Sequence, residues 1–226
     1  MNIKLLLVCL ADCLLIVTPL IYGVKFLKKR NYLLGLEWLI VAVSAANFLF
    51  FLVSGVQVSY EIAYFFDTFS RGFGIPVIAI AGLMVVTHRY RPSILADSVL
   101  FGVSIVGGAI VDWAQFIQVV RPYFLLAMWS AFSIYLAYFA VRLLGVGAKR
   151  HAVGVVVALL TSQAIAMMDD FYTIPGDNAE HMSFYTLALT AWSYLCFALY
   201  HAYCALERGT TPASDAAMPG RSAVQS

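Results

Sequence analysis

Hydrophobic residues in this chain come in long, nearly unbroken runs separated by short polar breaks. Seven runs stand out, at approximately 5–24, 32–54, 68–88, 94–114, 122–144, 152–171 and 183–205. A helix rises ~1.5 Å per residue and a bilayer's hydrocarbon core is ~30 Å thick, so each run is long enough to cross it. The pattern predicts an all-α polytopic membrane protein, a single bundle of about seven transmembrane helices. The connections are short. The longest on one side are 55–67 and 172–182, the second holding a turn at Ile174-Pro175-Gly176-Asp177. The predicted organisation is a transmembrane domain over 1–208. A tail over 209–226, rich in Ala, Ser, Thr, Pro and Gly, has too few apolar residues to fold alone and is expected to be disordered.

The first run could be mistaken for a secretion signal. It extends from Leu5 to Val24 and ends in Lys25, Lys28, Lys29 and Arg30 rather than in a small-residue cleavage site. It is therefore read as a retained first span.

Charge sets the expected orientation. With the N-terminus outside, the inner segments hold Lys25, Lys28, Lys29, Arg30, Arg89, Arg91, Arg142, Lys149, Arg150, Arg208 and Arg221. Only Lys4, Arg71 and Arg121 fall outside. Cytoplasmic segments retain Lys and Arg, so the N-terminus is predicted outside and the C-terminus in the cytoplasm. The expected location is the plasma membrane, the inner membrane in a bacterium. The acidic residues lean to the other side: Glu61, Asp67, Asp112, Asp169, Asp170, Asp177 and Glu180 all fall outside.

Composition excludes a soluble domain. The chain is 62% hydrophobic and 12% charged, and its mean hydropathy is +0.87. Soluble domains carry about 25% charged residues. A net charge of +2 is too small to imply a nucleic-acid partner. The expected partners are the lipid bilayer and a small solute or lipid, and oligomerisation is left open. The four cysteines, Cys9, Cys13, Cys196 and Cys204, lie in the first and last spans without metal-ligand spacing and read as small buried hydrophobes.

A charge inside hydrocarbon is costly and asks for a reason. Asp12 lies about eight residues into the first span. Ser44 and Asn47 occupy similar depths on the second span, and Ser130, Ser133, Thr161, Ser162, Gln163, Thr190 and Ser193 on later ones. Asp12 among hydroxyls and amides is either a protonatable coupling site or interhelical hydrogen-bond glue. Asp67 and Arg71 are four apart and share a helix face. The stretch Gly72-Phe73-Gly74-Ile75-Pro76 follows, and reads either as an interrupted helix or as a short third span beginning at Gly72. Asp169 and Asp170 adjoin one another, and with Asp67 and Asp112 would ring one cavity able to draw cations or serve acid chemistry, or else form a solvated helix end. Tyr60, Tyr64, Phe65 and Phe66 suggest an aromatic outer loop. Trp38 and Trp113 fit interfacial belts, while Trp129 and Trp192 lie deeper, lining a pocket or packing.

Spans one to three and five to seven also share a direction and a loop-charge pattern, as a three-plus-one-plus-three repeat would, although any seven-span chain with basic inner loops shows that alternation. No Lys occurs between Asp169 and Ser226, which removes a retinal Schiff base in the last span. His88, His151 and His201 fall near one surface and His181 near the other, which suits snorkelling better than haem ligation. No cofactor or metal is predicted, and no nucleotide-binding or hydrolase motif occurs in a credible context.

These features lead to a small transporter or permease-like protein, possibly proton-coupled, with Asp12, Ser44, Asn47, Asp67, Arg71, Ser162, Gln163, Asp169 and Asp170 along the pathway. The alternatives are an intramembrane enzyme acting on a lipid or isoprenoid through Asp112, Asp169 and Asp170, and a non-catalytic accessory or sensory subunit.

Overall fold

Backbone N–H and C=O groups in lipid have no water to bond, so each apolar run must satisfy them internally as a helix. The computed structural model describes residues 3–90, 92–172, 174–177 and 181–210. Seven helices are long and apolar enough to cross a membrane: α1 (Ile3–Lys28), α2 (Tyr32–Ser54), α3 (Gln57–Thr87), α4 (Ile94–Trp113), α5 (Arg121–Gly145), α6 (Lys149–Phe171) and α7 (Met182–Thr210). The described residues contain no strand. They form the bundle of a multi-pass membrane protein.

Six helices close a ring in the order α1, α2, α3, α5, α6, α7 and back to α1, while α4 packs from outside, chiefly on α3. Consecutive helices run in opposite directions because the connections are short. At one end the starts of α1 and α7 meet the end of α2, with Val8, Ala11 and Leu15 against Ala45, Leu52, Met182 and Leu189. This end also carries Asp67, Asp169 and Asp170, and is called the acidic end below. Towards the other, basic end the ring is filled by Phe26, Leu34, Leu83, Leu136, Phe139, Leu143, Val155, Leu199 and Tyr203. Lys29 there pairs with Glu207 at 2.5 Å.

The outward faces are apolar. On α1, Leu7, Leu10, Leu14, Val17 and Ile21 are exposed while Ala11, Asp12, Leu15 and Pro19 are buried. Between helices in lipid, close packing supplies the attraction that leaving water supplies elsewhere. Small residues make such packing close: a Cβ on Gly23 of α1 would lie 3.0 Å from the Gly35 carbonyl oxygen and 3.1 Å from Trp38 Cβ, both on α2. Gly55 ends α2 in the left-handed conformation (φ 72°), its N–H donating to Phe51 O. Asn31 begins α2 by accepting from Leu34 N at 3.2 Å, and donates to Gly82 O of α3 at 2.8 Å.

Several sequence expectations change. Residues 57–67, expected as a loop, are the first turns of α3. A search for unbroken apolar runs passes over them because Gln57, Ser59, Glu61 and Asp67 interrupt the run, yet the segment is amphipathic at helical spacing. Tyr60, Tyr64, Phe65 and Phe66 are therefore helical. Trp38, expected at an interface, is fully buried, whereas Trp113 is exposed. The helix of α7 continues to Thr210, past the expected boundary at 208. Most of the expected tail, 211–226, lies outside the described residues, as do 178–180 of the expected connection 172–182.

The glycine-rich stretch lies inside α3 and breaks its regularity. Ser70–Ala79 is wound as a π-helix, its backbone bonds joining residues five apart rather than four. Pro76 has no N–H to close the turn behind it, and Gly72 and Gly74 stabilise a regular α-helix poorly. Neither reading of this stretch is observed as stated: the chain stays helical from Gln57 to Thr87, and the stretch changes the winding of α3 without interrupting it.

Candidate functional site

The ring encloses a cavity of about 270 Å³ in its acidic half. Every ring helix contributes to its wall, and α4 does not. Tyr60, Ala63, Tyr64, Asp67, Ser70 and Arg71 all line it. Their spacing of three and four is the face that α3 turns inward. The deep end is formed by Ile75, Trp129, Leu195 and Cys196, none more than 5% exposed.

The polar end is organised by Arg71. Its side chain is 9% exposed and faces three carboxylates. Nη1 donates to Asp67 Oδ2 at 3.5 Å, one helical turn back, and pairs with Asp169 Oδ2. Nη2 donates to Asp170 Oδ2 at 3.1 Å. A guanidinium suits this because its rigid fork presents several donors at once. The cluster fastens α3 to α6 across the ring. The aspartate side chains keep 33%, 22% and 30% of their exposure, so this end of the cavity reaches the surface. Arg121, at the start of α5, donates to Tyr64 OH and, through Nη2, to Thr68 Oγ1 at 2.8 Å.

Donors along the wall remain unmet. The indole N–H groups of Trp129 and Trp192 and the Ser70 hydroxyl are buried without a hydrogen-bond partner, although all three residues line the cavity. A buried donor left unpaired costs about 1–3 kcal/mol. A bound molecule carrying an acceptor would recover part of that cost.

The residues expected along a pathway fall into two groups. Asp67, Arg71, Asp169, Asp170 and Ser44 line the cavity, with Ser44 donating to Ala63 O of α3 at 3.0 Å. The other four do not. Asp12 is fully buried, has neither oxygen bonded, and lies among Val8, Ala11 and Leu15 behind the wall. Asn47 is half-buried, does not line the cavity, and donates to Val43 O of its own helix. Ser162 bonds to Leu159 O within α6. Gln163 ties α6 to α5, accepting from Ser133 at 2.7 Å and donating to Ser130 at 3.3 Å. Linear depth placed all of these in one layer, but azimuth separates them.

The expected ring of Asp67, Asp112, Asp169 and Asp170 is also incomplete. Asp112 does not line the cavity and takes its bond from Thr68 at 3.5 Å. The other three already have a cation between them in Arg71. Among the described residues no group of three His, Cys, Asp or Glu side chains converges as a metal site.

Sequence reasoning passed over Glu37. It is fully buried on α2, with both oxygens unbonded. The signal that singled out Asp12, an acidic residue within an apolar run, applies equally to Glu37. Arg121, Tyr60 and Tyr64 of the wall are expected in loops from the sequence, whereas Trp129 and Trp192 take the pocket-lining one of their two sequence readings. No family model, curated protein or solved structure matches this chain.

Proposed function

We propose that this protein is a small-solute carrier that binds its cargo in the central cavity, with the acidic end facing outside and the basic end in the cytoplasm of a plasma membrane. The observation that carries the reading is the placement of the cavity. It is central rather than lateral, it is walled by every helix of the ring, and the π-wound segment of α3 supplies part of its wall. π-wound segments occur mostly at functional sites, and this one gives α3 a point about which the helix can bend. The packed basic half then corresponds to a closed inner gate, and the Arg71 cluster to a tie between α3 and α6 that rearranges as the cavity changes sides. Three aspartates against two arginines leave the lining with a surplus of one negative charge, which favours a neutral or cationic solute over an anion.

Alternating access predicts water at both ends of the bundle in turn. Single cysteines at Ser70 and at Leu136 would be tested with a membrane-impermeant thiol reagent after the native cysteines are replaced. Ser70 lines the cavity and Leu136 is fully buried in the basic half. The expected result is labelling of Ser70→Cys from the acidic side and of Leu136→Cys from the opposite side. Labelling at Ser70 with none at Leu136 under any condition of pH or membrane potential would remove the carrier reading. The second reading, an intramembrane enzyme on a lipid or isoprenoid, would then lead. It is favoured by Asp169 and Asp170 facing a cavity walled by Tyr60, Tyr64, Tyr185, Trp129 and Trp192, which can stabilise cationic intermediates.

A further inference from the structure

Two carboxyls in this bundle are fully buried with no hydrogen bond to either oxygen, Asp12 and Glu37. An ionised carboxylate in that situation costs several kcal/mol unless a cation joins it. Their surroundings differ. Asp12 is flanked on its own helix by Cys9 and Cys13, and none of the three lines the cavity. Glu37 projects from α2 against the π-wound segment of α3. Its carboxyl occupies the space a Cβ on Gly74 would need, so any side chain at that position would have to displace the carboxyl. Ser70, from the same segment, faces it, hydroxyl and carboxyl stopping short of a hydrogen bond. Cys196 of α7 is the other titratable group beside it, and no charged side chain acts on it from α2, α3 or α7. Ser70 and Cys196 both line the cavity, so a single layer of side chains separates Glu37 from the binding space.

The cation that fits is set by the space. A metal ion of the sodium or calcium class needs six or more oxygen ligands at ~2.3–2.6 Å. Among the described residues no group of three His, Cys, Asp or Glu side chains gathers at Glu37, Ser70 is the one side-chain hydroxyl that acts on it, and Gly74 is pressed against the carboxyl. A proton needs no such shell. We propose that Glu37 is a proton-exchange site, reached from the cavity past Ser70, whose occupancy is coupled to the conformation of the π-wound segment of α3.

The coupling follows from contact. With a proton the carboxyl is neutral and tolerates the apolar packing against Gly74. Without one it requires donors, and a small unwinding of Ser70–Ala79 would supply them from the Ser70 hydroxyl and the segment's own N–H groups. In the carrier reading, on which the coupling role rests, this makes Glu37 rather than Asp12 the residue that links solute movement to protons.

The test is infrared difference spectroscopy on the full-length protein reconstituted in lipid, between acidic and alkaline pH. The expected result is a carboxylic-acid C=O stretching band that disappears reversibly on alkalinisation, is absent from Glu37→Gln, and persists in Asp12→Asn. Ser70→Ala keeps the band but slows its loss after a pH jump, because the hydroxyl that leads to the cavity is gone. A Glu37→Gln difference spectrum identical to wild type would overturn the proposal, and so would a band lost only in Asp12→Asn. Should Glu37→Gln fail to assemble, the Ser70→Ala kinetics decide, and an unchanged rate there overturns the route. None of these readouts involves transport. Loss of Leu136 labelling with the Glu37 band intact would therefore remove the carrier reading alone, and the reverse would remove the proton site alone.

Discussion

Replacing Arg71 by Met tests whether the cation at the cavity mouth holds α3 and α6 together. The change keeps an unbranched chain of similar length and removes the charge that Asp67, Asp169 and Asp170 share. Breaking a buried ion pair by deleting one partner costs about 3–5 kcal/mol, chiefly from the charge left behind. Here the carboxylates keep 33%, 22% and 30% of their side-chain exposure, so water screens part of the loss. About 2–4 kcal/mol is then the reasonable figure. For a chain of this size each kcal/mol moves Tm by about 2–4 °C, so Arg71→Met lowers it by roughly 5–15 °C. Of the four cysteines expected to be buried only Cys196 is, Cys13 being exposed and Cys9 and Cys204 half-buried, so the assay is thermal unfolding in detergent of protein with Cys9, Cys13 and Cys204 replaced, followed by a thiol-reactive dye that reports exposure of Cys196. Arg71→Lys falls between, because one ammonium cannot fork between Asp67 and Asp170 as a guanidinium does. Adding Asp169→Asn and Asp170→Asn to Arg71→Met recovers at least half of the loss, since the unpaired charges are gone. A Met variant within about 1 °C of wild type would refute the reasoning, as would a triple variant less stable than the single.

Three further outcomes follow from the same contacts. Asn31→Ala removes the cap on Leu34 N and the bond to Gly82 O, and should cost about 1–2 kcal/mol, read as a fall in Tm of a few degrees. Gln163→Leu breaks the clasp with Ser130 and Ser133 and should cost about 1 kcal/mol while leaving thiol labelling at position 70 unchanged; altered labelling would mean that Gln163 reaches the cavity after all. Asn47→Leu changes a half-buried side chain bonded only to its own helix, so Tm should move by less than about 1 °C and labelling not at all, and a larger change in either would place Asn47 in an interhelical contact or on the cavity wall.

Where the candidate site was legible, the signal was local. Asp67 and Arg71 pair because four residues make one helical turn, and Asp169 and Asp170 stand out as neighbouring charges at the end of an apolar run. Asp12 and Asn47 show the limit of that reasoning. Both lie at cavity depth along their helices, but one is turned into the packing between α1, α2 and α7 and the other lies off the cavity wall. Depth follows from counting residues at a fixed rise. Azimuth depends on which neighbour each helix meets, and no run of residues within one span encodes that.

The sequence by itself determined the secondary structure and its setting. Seven apolar runs in a medium that offers no hydrogen bonds can only be helices, and short connections make neighbouring helices antiparallel. Tertiary structure alone decided that six of them close a ring with α4 outside, that Arg71 meets three aspartates drawn from two helices, and that Glu37 sits against Gly74 one side chain away from the cavity. The physical reason is range. Backbone bonding and hydrophobicity act within a segment and are written in consecutive residues, whereas the cavity and its charges arise from contacts such as Arg71 with Asp170, between helices far apart in the chain.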